Sequence, residues 1–487
     1  MLFKEKSKLN DACLFVILGA TGDLSQRKLF PAFAQMAKQK LLPDNFKILA
    51  VSRRSYNSER FRKFVASALK EFSNVKSSNS DMKSFLSSIY YCKLDFYEKG
   101  DYETLKGALG RLNNKCNKTI YYLATLPENF GIIVENLNRT NLLQRESSWP
   151  RIVFEKPFGY DIKSANMLNK KIYKYFKEDQ IYRIDHYLGK NAIQNVMILR
   201  FANGIFEPLW NGKYIDHIQI TASENIGVGF RTAYYEKAGV VRDMVQNHLL
   251  QTLSLIAMEP PASFTSRLIH DEKTKVLDSI SQLKKEDIVL GQYIQGKIDN
   301  KHVLGYKEEL NKRTRTETFA AIKVFIDNWR WKGVPFYLRS GKRMVKSFTR
   351  ISIHFKNPPH NLFHQLHNIE QNILDIDVQP KEGVMLEFNT KAPGENLGIK
   401  KVGMDFCHSC IFPNTPKAYE SLLMDVIEGD NTLFTRWDQV KSAWKLIDPL
   451  LKRIRNKEYE LHSYHAGTTG PKASDRLIEK DGRKWLN

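Results

Sequence analysis

Regular alternation between β-rich apolar runs and helical patterns constrains the first half of this chain more than any other feature. Helical patterns over 27–40 and 58–72 separate the first three runs. Strands that alternate with helices predict a mostly parallel, doubly wound sheet. Ligands bind such sheets at the carboxyl ends of the strands. The predicted strands are 13–18, 47–52, 89–94, 119–124, 151–154 and 181–184.

A glycine-containing turn follows the first predicted strand. Gly19 and Gly22 stand in the segment GATGDL, which leads into a helical pattern. The amides of such a turn, with the N-terminus of the helix, can bind a pyrophosphate. Ile17 occupies the first glycine position of the full GxGxxG pattern, so an ordinary strand-to-helix turn is the alternative.

Two arginines, Arg53 and Arg54, follow the second predicted strand. An NAD enzyme usually has an acidic residue here for the ribose hydroxyls, whereas arginine suits the 2′-phosphate of NADP. The spacing from Gly19 is longer than the roughly 20 residues typical of the pattern. We therefore expect NADP as the cofactor, with NAD as the weaker alternative.

A cluster of ionisable residues follows the sixth predicted strand. The segment RIDHYLGK, residues 183–190, has the composition of a phosphate-binding site. If the chain becomes helical after Asp185, His186 and Lys190 lie one turn apart and, with the Tyr187 hydroxyl, can bind a phosphate dianion. An ion cluster on the surface at the end of a strand is the alternative.

The second half of the chain has a different pattern, with alternating strands such as 217–222, 349–355 and 383–388 joined by turns. This pattern predicts an α+β domain with a large, mainly antiparallel sheet. We place a Rossmann-like dinucleotide-binding domain at 1–186 and the α+β domain at 187–487.

A helical pattern over 240–258 carries polar residues, including His248, in an otherwise apolar sequence. Polar groups on a buried helix are costly unless they are paired, so they mark a candidate site. A partly exposed helix with a satisfied histidine is the alternative.

Charge and composition bear on the class of partner. The chain has 75 basic and 53 acidic residues, a net charge of +22. The lysines are spread along the chain without a basic tail, which favours a solvated surface over a specific nucleic-acid footprint. No apolar run approaches the roughly 18 residues that span a bilayer, so we predict no membrane association.

The N-terminus and the cysteines predict a cytoplasmic protein. The early apolar run ends in turn residues and lacks a small-residue cleavage site, so we read it as a strand instead of a signal peptide. Five scattered cysteines are consistent with a reducing compartment. The element Cys407-His408-Ser409-Cys410 lacks a second ligand pair at zinc spacing, and we predict neither a metal site nor a redox role for it.

Several long segments, in order along the chain, resemble the signature segments of the glucose-6-phosphate dehydrogenase family. Further similarity links them, so that the resemblance covers essentially the whole chain. The segments are GATGDLSQRKLFP (19–31), FEKPFG (154–159), RIDHYLGK (183–190), VRDMVQNHLLQ (241–251) and LRSGK (338–342).

The resemblance implies oxidation of β-D-glucose 6-phosphate at C1 by NADP, giving 6-phosphoglucono-1,5-lactone and NADPH, the first step of the oxidative pentose phosphate pathway. It implies that His248 is the catalytic base and that Asp185 holds its imidazole. A carboxylate partner suits this role because it fixes the tautomer and stabilises the charged ring.

The resemblance also implies the binding residues. The cofactor residues are Gly19, Gly22, Asp23, Leu24, Arg53, Asp95 and Lys156. The substrate residues are Lys156, His186, Tyr187, Lys190, Glu224, Asp243, Lys342 and Gln379. From residue types alone, a solvated lysine at the end of a strand is the preferred interpretation of Lys156.

One departure from the family pattern concerns the phosphate site. Members often have a second basic residue five positions after the lysine that matches Lys342, but this chain has Ser347 there, with Lys346 one position earlier. Either Lys346 replaces that contact, as we predict, or the contact is lost. The resemblance further implies a homodimer or a homotetramer. A catalytically silent dinucleotide-binding protein and a nucleic-acid-binding protein are the remaining alternatives.

Overall fold

The computed structural model describes residues 12–73, 79–112, 116–143, 149–363, 369–394, 398–412 and 415–487. The chain forms two compact units. The first comprises Met1–Gly189, Thr265–Arg267 and Pro416–Lys441, and the second comprises Lys190–Phe264, Leu268–Thr415 and Ser442–Asn487. The first unit thus includes two segments from the second half of the sequence. The predicted domain division at 186/187 stays a prediction.

The strands are β1 (Ala12–Leu18), β2 (Lys47–Ser52), β3 (Ile89–Lys93), β4 (Cys116–Leu123), β5 (Arg151–Phe154), β6 (Ile181–Arg183), β7 (Ile215–Ser223), β8 (Ile288–Ile294), β9 (Gly296–Ile298), β10 (Lys301–Val303), β11 (Phe319–Phe325), β12 (Pro335–Gly341), β13 (Phe348–Phe355), β14 (Ile373–Gln379), β15 (Gly383–Lys391), β16 (Ile399–Cys407) and β17 (Leu461–His465).

The α-helices are α1 (Phe30–Lys38), α2 (Ser58–Phe72), α3 (Asn79–Ser87), α4 (Asp101–Leu112), α5 (Phe130–Arg139), α6 (Ile162–Ile172), α7 (Asn191–Phe201), α8 (Thr232–Val240), α9 (Leu250–Ala257), α10 (Ser266–Asp278), α11 (Tyr306–Leu310), α12 (His408–Ile411), α13 (Ala418–Glu428), α14 (Trp437–Arg455) and α15 (Lys472–Glu479). Segments Ser25–Leu29 and Val241–Leu249 are π-helical. In the described ranges, no helix combines the length and the apolar character of a membrane span.

The first unit is built on a six-stranded sheet with the order β3-β2-β1-β4-β5-β6. All of its strand pairs are parallel. Strand β1 is apolar at every position and buried throughout, as expected for a strand covered on both faces. The predicted doubly wound parallel sheet is therefore confirmed.

The second unit is built on a nine-stranded sheet with the order β16-β15-β14-β13-β7-β12-β11-β8-β17. Its pairs are antiparallel except for β12 with β7 and β17 with β8. The predicted α+β domain with a mainly antiparallel sheet is confirmed. Strand β7, at the middle of the sheet, is buried at eight of its nine positions, so this part of the sheet lies in the core.

The interpretation in which the chain becomes helical directly after Asp185 is wrong. The chain forms a turn there, and α7 begins only at Asn191. The Oδ1 atom of Asp185 accepts a hydrogen bond from the Tyr187 backbone N–H at 3.0 Å. Short carboxylates that bond a nearby amide in this way compete with helix formation. His186 and Lys190 are therefore not one helical turn apart.

Two of the cysteines are bonded to each other, whereas a reducing compartment favours unpaired thiols. Cys407 and Cys410 form a disulfide, with 5.3 Å between their Cα atoms. The missing second ligand pair argues against a zinc site but does not bear on a bond between these two thiols. Cys13 and Cys92 are buried thiols outside this disulfide.

Two histidines stack in the centre of the nine-stranded sheet. His217 of β7 and His354 of β13 are register partners, and their rings are 4.0 Å apart at 16°. The Gln219 amide lies 3.0 Å from one ring and 3.3 Å from the other. Burial, followed by the charge of His217, lowers the pKa of His354 to about 3. The Asp216 carboxylate opposes this shift, whereas Lys401 and Arg483 reinforce it.

This pair predicts a loss of stability in acid. In the unfolded chain His354 binds a proton near pH ~6.5, but in the folded chain it stays neutral down to about pH 3. Its contribution to stability is therefore complete above pH ~6.5 and is lost as the pH falls toward 3. Between pH 7 and pH 5 we expect the loss from His354 to be about 2 kcal/mol.

Urea unfolding of the wild type and of His354→Gln at both pH values measures this contribution. The free energy of unfolding should fall more in the wild type than in the variant. Other titrating groups act in both proteins and cancel in the comparison. If the free energy of unfolding fell equally in the two proteins, His354 would not be the source of this loss of stability.

Candidate active site

The carboxyl edge of the parallel sheet gathers the candidate residues of the first unit. Because β1 to β6 are all parallel, the residues that follow their last positions share one edge of the sheet. β1 and β4 are neighbours although they are not consecutive, so the strand order reverses between them. This reversal is where ligands bind in open sheets. The residues at this edge are Gly19, Arg53, Asp95, Lys156 and Asp185.

The turn after β1 requires glycine at Gly19. Its φ is +103°, and a Cβ atom there would lie 2.2 Å from the Ala124 carbonyl oxygen. The Gly19 carbonyl accepts hydrogen bonds from the Gly22 N–H at 2.9 Å and from the Ser25 hydroxyl at 3.2 Å. The backbone therefore turns tightly and leads directly into a helical segment, as a pyrophosphate site requires.

The next two positions of the turn differ in their surroundings. Asp23 is exposed, and its Oδ1 atom pairs with Arg27 Nε at 2.6 Å. Leu24 is the N-cap of the π-helical segment Ser25–Leu29. Both residues thus lie at the N-terminus of the first helical segment, where backbone amides attract anions.

Arg53 and Asp95 follow β2 and β3. The Arg53 side chain is exposed. Ser52, directly before it, is fixed by a hydrogen bond of 2.8 Å to the Tyr91 hydroxyl. The Asp95 carboxylate accepts the Tyr97 N–H at 3.0 Å, so it has a local role in the turn after β3. Arg53 therefore remains the stronger candidate for an anionic group of a ligand.

Lys156 stands beside a partly buried network that the sequence did not predict. The neighbouring Glu155 carboxylate accepts hydrogen bonds from the hydroxyls of Tyr122, at 2.5 Å, and Tyr419, at 3.1 Å. Burial raises the pKa of Glu155. The Lys156–Pro157 peptide bond is cis. No local signal reveals this network, because Tyr122 lies in a strand buried on both faces and Tyr419 is 264 residues from Glu155.

Asp185, His186 and Tyr187 follow β6. Asp185 and Tyr187 are buried. The rings of His186 and Tyr187 lie 5.2 Å apart, edge to face. These three predicted residues are thus adjacent in space as well as in sequence.

In the second unit, two predicted substrate residues meet directly. Lys190, the N-cap residue of α7, donates a hydrogen bond through Nζ to Oε1 of Gln379, the last residue of β14. They are 189 positions apart. Two of the predicted substrate residues are therefore bonded to each other.

A second pair of predicted residues forms an ion pair. Lys342 Nζ contacts Oε2 of Glu224, and the lysine side chain is only 3% exposed. Nζ also lies 5.7 Å from the centre of the Tyr235 ring. Glu224 and Lys342 follow the neighbouring strands β7 and β12, which are parallel and so end at one edge. Tyr235 is a further site residue that the sequence did not reveal.

The π-helical segment Val241–Leu249 carries Asp243 and His248, both buried. A π-helix closes hydrogen bonds from i to i+5, so residues five apart lie about one turn apart on the same face. In an α-helix they would point in different directions. The Tyr234 hydroxyl lies 3.5 Å from Asp243 Oδ1. The local helix type therefore brings these two predicted residues to a common face.

Lys346 and Ser347 lie where the sequence departs from the family pattern. Lys346 is exposed, with its Nζ 5.4 Å from the centre of the Phe348 ring. The Ser347 hydroxyl donates to Asn225 Oδ1 at 2.6 Å and accepts the Asn225 N–H at 2.8 Å. Ser347 thus fixes the residue after Glu224. In the described ranges, no group of three or more His, Cys, Asp or Glu side chains is arranged to hold a metal ion.

Comparison with known proteins identifies the family. The model of the glucose-6-phosphate dehydrogenase NAD-binding domain matches residues 16–195, and that of the C-terminal domain matches residues 197–486. The chain belongs to the glucose-6-phosphate dehydrogenase family. The predicted dehydrogenase function is confirmed by these matches, and they give no support to a catalytically silent protein.

Individual relatives match along their full length. Glucose-6-phosphate 1-dehydrogenase of Aggregatibacter actinomycetemcomitans is 44% identical over 483 residues, covering 97% of each chain. That of Bacillus subtilis is 41% identical over 493 residues, covering 99% of this chain and 100% of its own. A solved glucose-6-phosphate dehydrogenase in complex with glucose 6-phosphate superimposes with a TM-score of 0.91 at 32% identity, covering 99% of this chain and 100% of its own. Family membership thus rests on both sequence and fold.

Proposed function

We propose that this protein oxidises β-D-glucose 6-phosphate at C1 to 6-phosphoglucono-1,5-lactone with NADP, the first step of the oxidative pentose phosphate pathway. The observation that carries the proposal is the full-length match to a solved relative that holds glucose 6-phosphate. Absorbance of reduced nicotinamide, with glucose 6-phosphate and either NADP or NAD, tests it. Substrate-dependent reduction with NADP is expected, and none with either cofactor would contradict the proposal.

His248 is the base of the proposed reaction. It takes the proton of the C1 hydroxyl, which allows the C1–H bond to break with its electron pair. Asp185 is proposed to hold the imidazole in the correct tautomer and to stabilise its charged form. NADP, when bound, supplies the acceptor for the hydride. Burial of His248 excludes water that would compete for the proton.

Charged and polar side chains are proposed to bind the phosphate and the sugar hydroxyls of the substrate. His186, Tyr187 and Lys190 bind its phosphate, and Lys190 is pre-positioned by its bond to Gln379. Lys342, Glu224 and Asp243 contact the sugar hydroxyls or the phosphate. Lys156 is proposed to lie between cofactor and substrate, fixed by the network of its neighbour Glu155.

The cofactor residues fit a nicotinamide dinucleotide. The constrained turn at Gly19 and the helix that follows it suit the pyrophosphate, and the exposed Arg53 suits a 2′-phosphate. Gly22, Asp23 and Leu24 belong to the same turn. Asp95 is proposed as a neighbour of the adenosine half. These assignments favour NADP, with NAD as the weaker cofactor.

Arg53→Ala should raise the Michaelis constant for NADP by about 10- to 100-fold, because a hydrogen bond to a charged group is lost. The Michaelis constant for NAD should stay nearly constant. Steady-state kinetics with both cofactors measure the effect. Arg60→Ala, at an exposed arginine of α2, is the matched control. Equal increases in the Michaelis constants for NADP and NAD would show that Arg53 supports the fold or binds the pyrophosphate that both cofactors share.

Lys346→Ala should raise the Michaelis constant for glucose 6-phosphate several-fold with little change in turnover. A remote phosphate contact acts equally on the ground state and the transition state, so its loss weakens binding. Lys332→Ala is the control, since that lysine is 76% exposed in its ion pair with Asp327. An unchanged Michaelis constant would remove Lys346 from the site.

The assembly is proposed to be a homodimer or a homotetramer formed through the nine-stranded sheet. Its edge strand β16 exposes Val402, Met404 and Phe406, which alternate along the strand and so share one face. Sedimentation of the purified protein tests the assembly. A cytoplasmic location and the absence of specific nucleic-acid or membrane partners stay predictions.

A further inference from the structure

The Cys407–Cys410 disulfide involves none of the residues proposed for the active site. Cys407 is the last residue of β16 and pairs in register with Gly383 of β15. Cys410 lies in the short helix α12 and is exposed. One cysteine is thus part of the sheet, and the other is an exposed residue of α12. Access for an attacking thiolate is the first requirement for exchange, and the exposed residue Cys410 is the side from which it can come.

Two other cysteines are in the opposite situation. Cys13 and Cys92 are buried thiols outside the disulfide. Burial raises the pKa of Cys92 to about 11, which keeps it as an unreactive thiol. The chain therefore contains buried thiols and a disulfide in which one cysteine is exposed. This contrast points to chemistry specific to residues 407–410.

The position of the bond also argues against a purely stabilising role. The two cysteines are three residues apart, so the bond closes a very short loop. In the chain-entropy account, a disulfide stabilises less when it closes a shorter loop. Short, exposed disulfides in reducing compartments are usually the reversible ones.

The same bond fixes α12 to the end of the sheet. Apart from the disulfide, the start of α12 is held by the His408 N–H, which donates to the Glu382 carbonyl at 3.0 Å. The helix has only four residues, and Ile411 and Phe412 at its end are exposed. So short a helix has little stability of its own. Breaking the bond should therefore release it.

We propose that Cys407 and Cys410 form a thiol–disulfide exchange site for dithiols, which opens in the folded protein and releases α12. A thiolate of the dithiol attacks Cys410 Sγ, the S–S bond breaks, and its electron pair leaves on Cys407 Sγ, which takes a proton. The second thiol of the reagent then displaces Cys410, which is protonated in turn. The dithiol is oxidised by two electrons to its disulfide, and the cysteine pair is reduced by two.

Thiol labelling of the full-length protein with dithiothreitol as the probe tests the exchange. Without denaturant, alkylation followed by peptide mass analysis should find label on Cys407 and Cys410 only after reduction, while Cys13 and Cys92 stay unlabelled. Removal of the reductant and addition of oxidised dithiothreitol should restore the bond. Label at 407 and 410 only under conditions that also label Cys13 and Cys92 would overturn the proposal, because the bond would then open only on unfolding.

Hydrogen exchange tests the release of α12. Reduction should speed amide exchange at 408–412 by about 10-fold or more, as for a segment that opens locally, while β15 is unchanged. A double variant with Cys407→Ser and Cys410→Ser should exchange rapidly there with or without dithiothreitol. Unchanged exchange in the reduced wild type, or a variant that still responds to the reagent, would overturn the release of α12.

Discussion

Replacing His248 with asparagine should lower kcat for glucose 6-phosphate oxidation by about 100- to 10,000-fold, the range typical of a general base. Asparagine keeps a polar side chain of similar size but cannot accept the proton. Because the base acts in the transition state, the Michaelis constants for both substrates should change much less. Stopped assays with high enzyme concentration measure the residual rate.

A buried histidine of the same unit provides the control for this experiment. His270 lies in α10 and is 2% exposed. His270→Asn should reduce thermal stability and leave kcat within a few-fold of the wild type. If His248→Asn retained more than a tenth of the wild-type turnover while NADP binding was intact, another group would have to be the base.

Replacing Lys342 with methionine should lower kcat/KM for glucose 6-phosphate by about 10- to 100-fold, corresponding to the loss of one charge-assisted hydrogen bond. Methionine fills much of the lysine volume but removes the charge. The variant also leaves Glu224 without its ion-pair partner. Since Glu224 is partly exposed, we expect only a small decrease in melting temperature.

Two comparisons separate binding from folding for Lys342. Lys332→Met removes an exposed ion pair with Asp327 and should change neither kcat/KM nor stability appreciably. Glu224→Gln keeps Lys342 and should have a smaller effect on substrate binding than Lys342→Met. A Lys342→Met variant with a lower melting temperature but normal kcat/KM would make the lysine a structural residue.

The strands of the first unit could be predicted from the sequence because apolar runs and turn residues mark them locally. Predicted strands 47–52 and 151–154 and predicted helix 58–72 have the same bounds as β2, β5 and α2. The second sheet could be predicted in type but not in strand order. Strand order depends on contacts between distant residues, which a local pattern does not contain.

The site could be predicted mainly through the family resemblance, and the structure adds what local patterns cannot show. The Lys190–Gln379 bond joins residues 189 positions apart. The π-helical closure that brings Asp243 and His248 to one face leaves no mark in residue periodicity. The helix considered after Asp185 was wrong because a single side-chain bond to Tyr187 favours a turn.

The late segment Pro416–Lys441 has a consequence for synthesis of the chain. The first unit is completed by this segment: the Arg151 guanidinium donates to the Val426 and Ile427 carbonyls, and Gly189 packs against α13. On the ribosome, residues 1–189 therefore emerge before the helix that they need. At about 5 to 20 residues per second, the wait until residue 441 is made lasts roughly 13 to 50 seconds. The nucleotide-binding half of this enzyme cannot finish folding in the order in which it is translated.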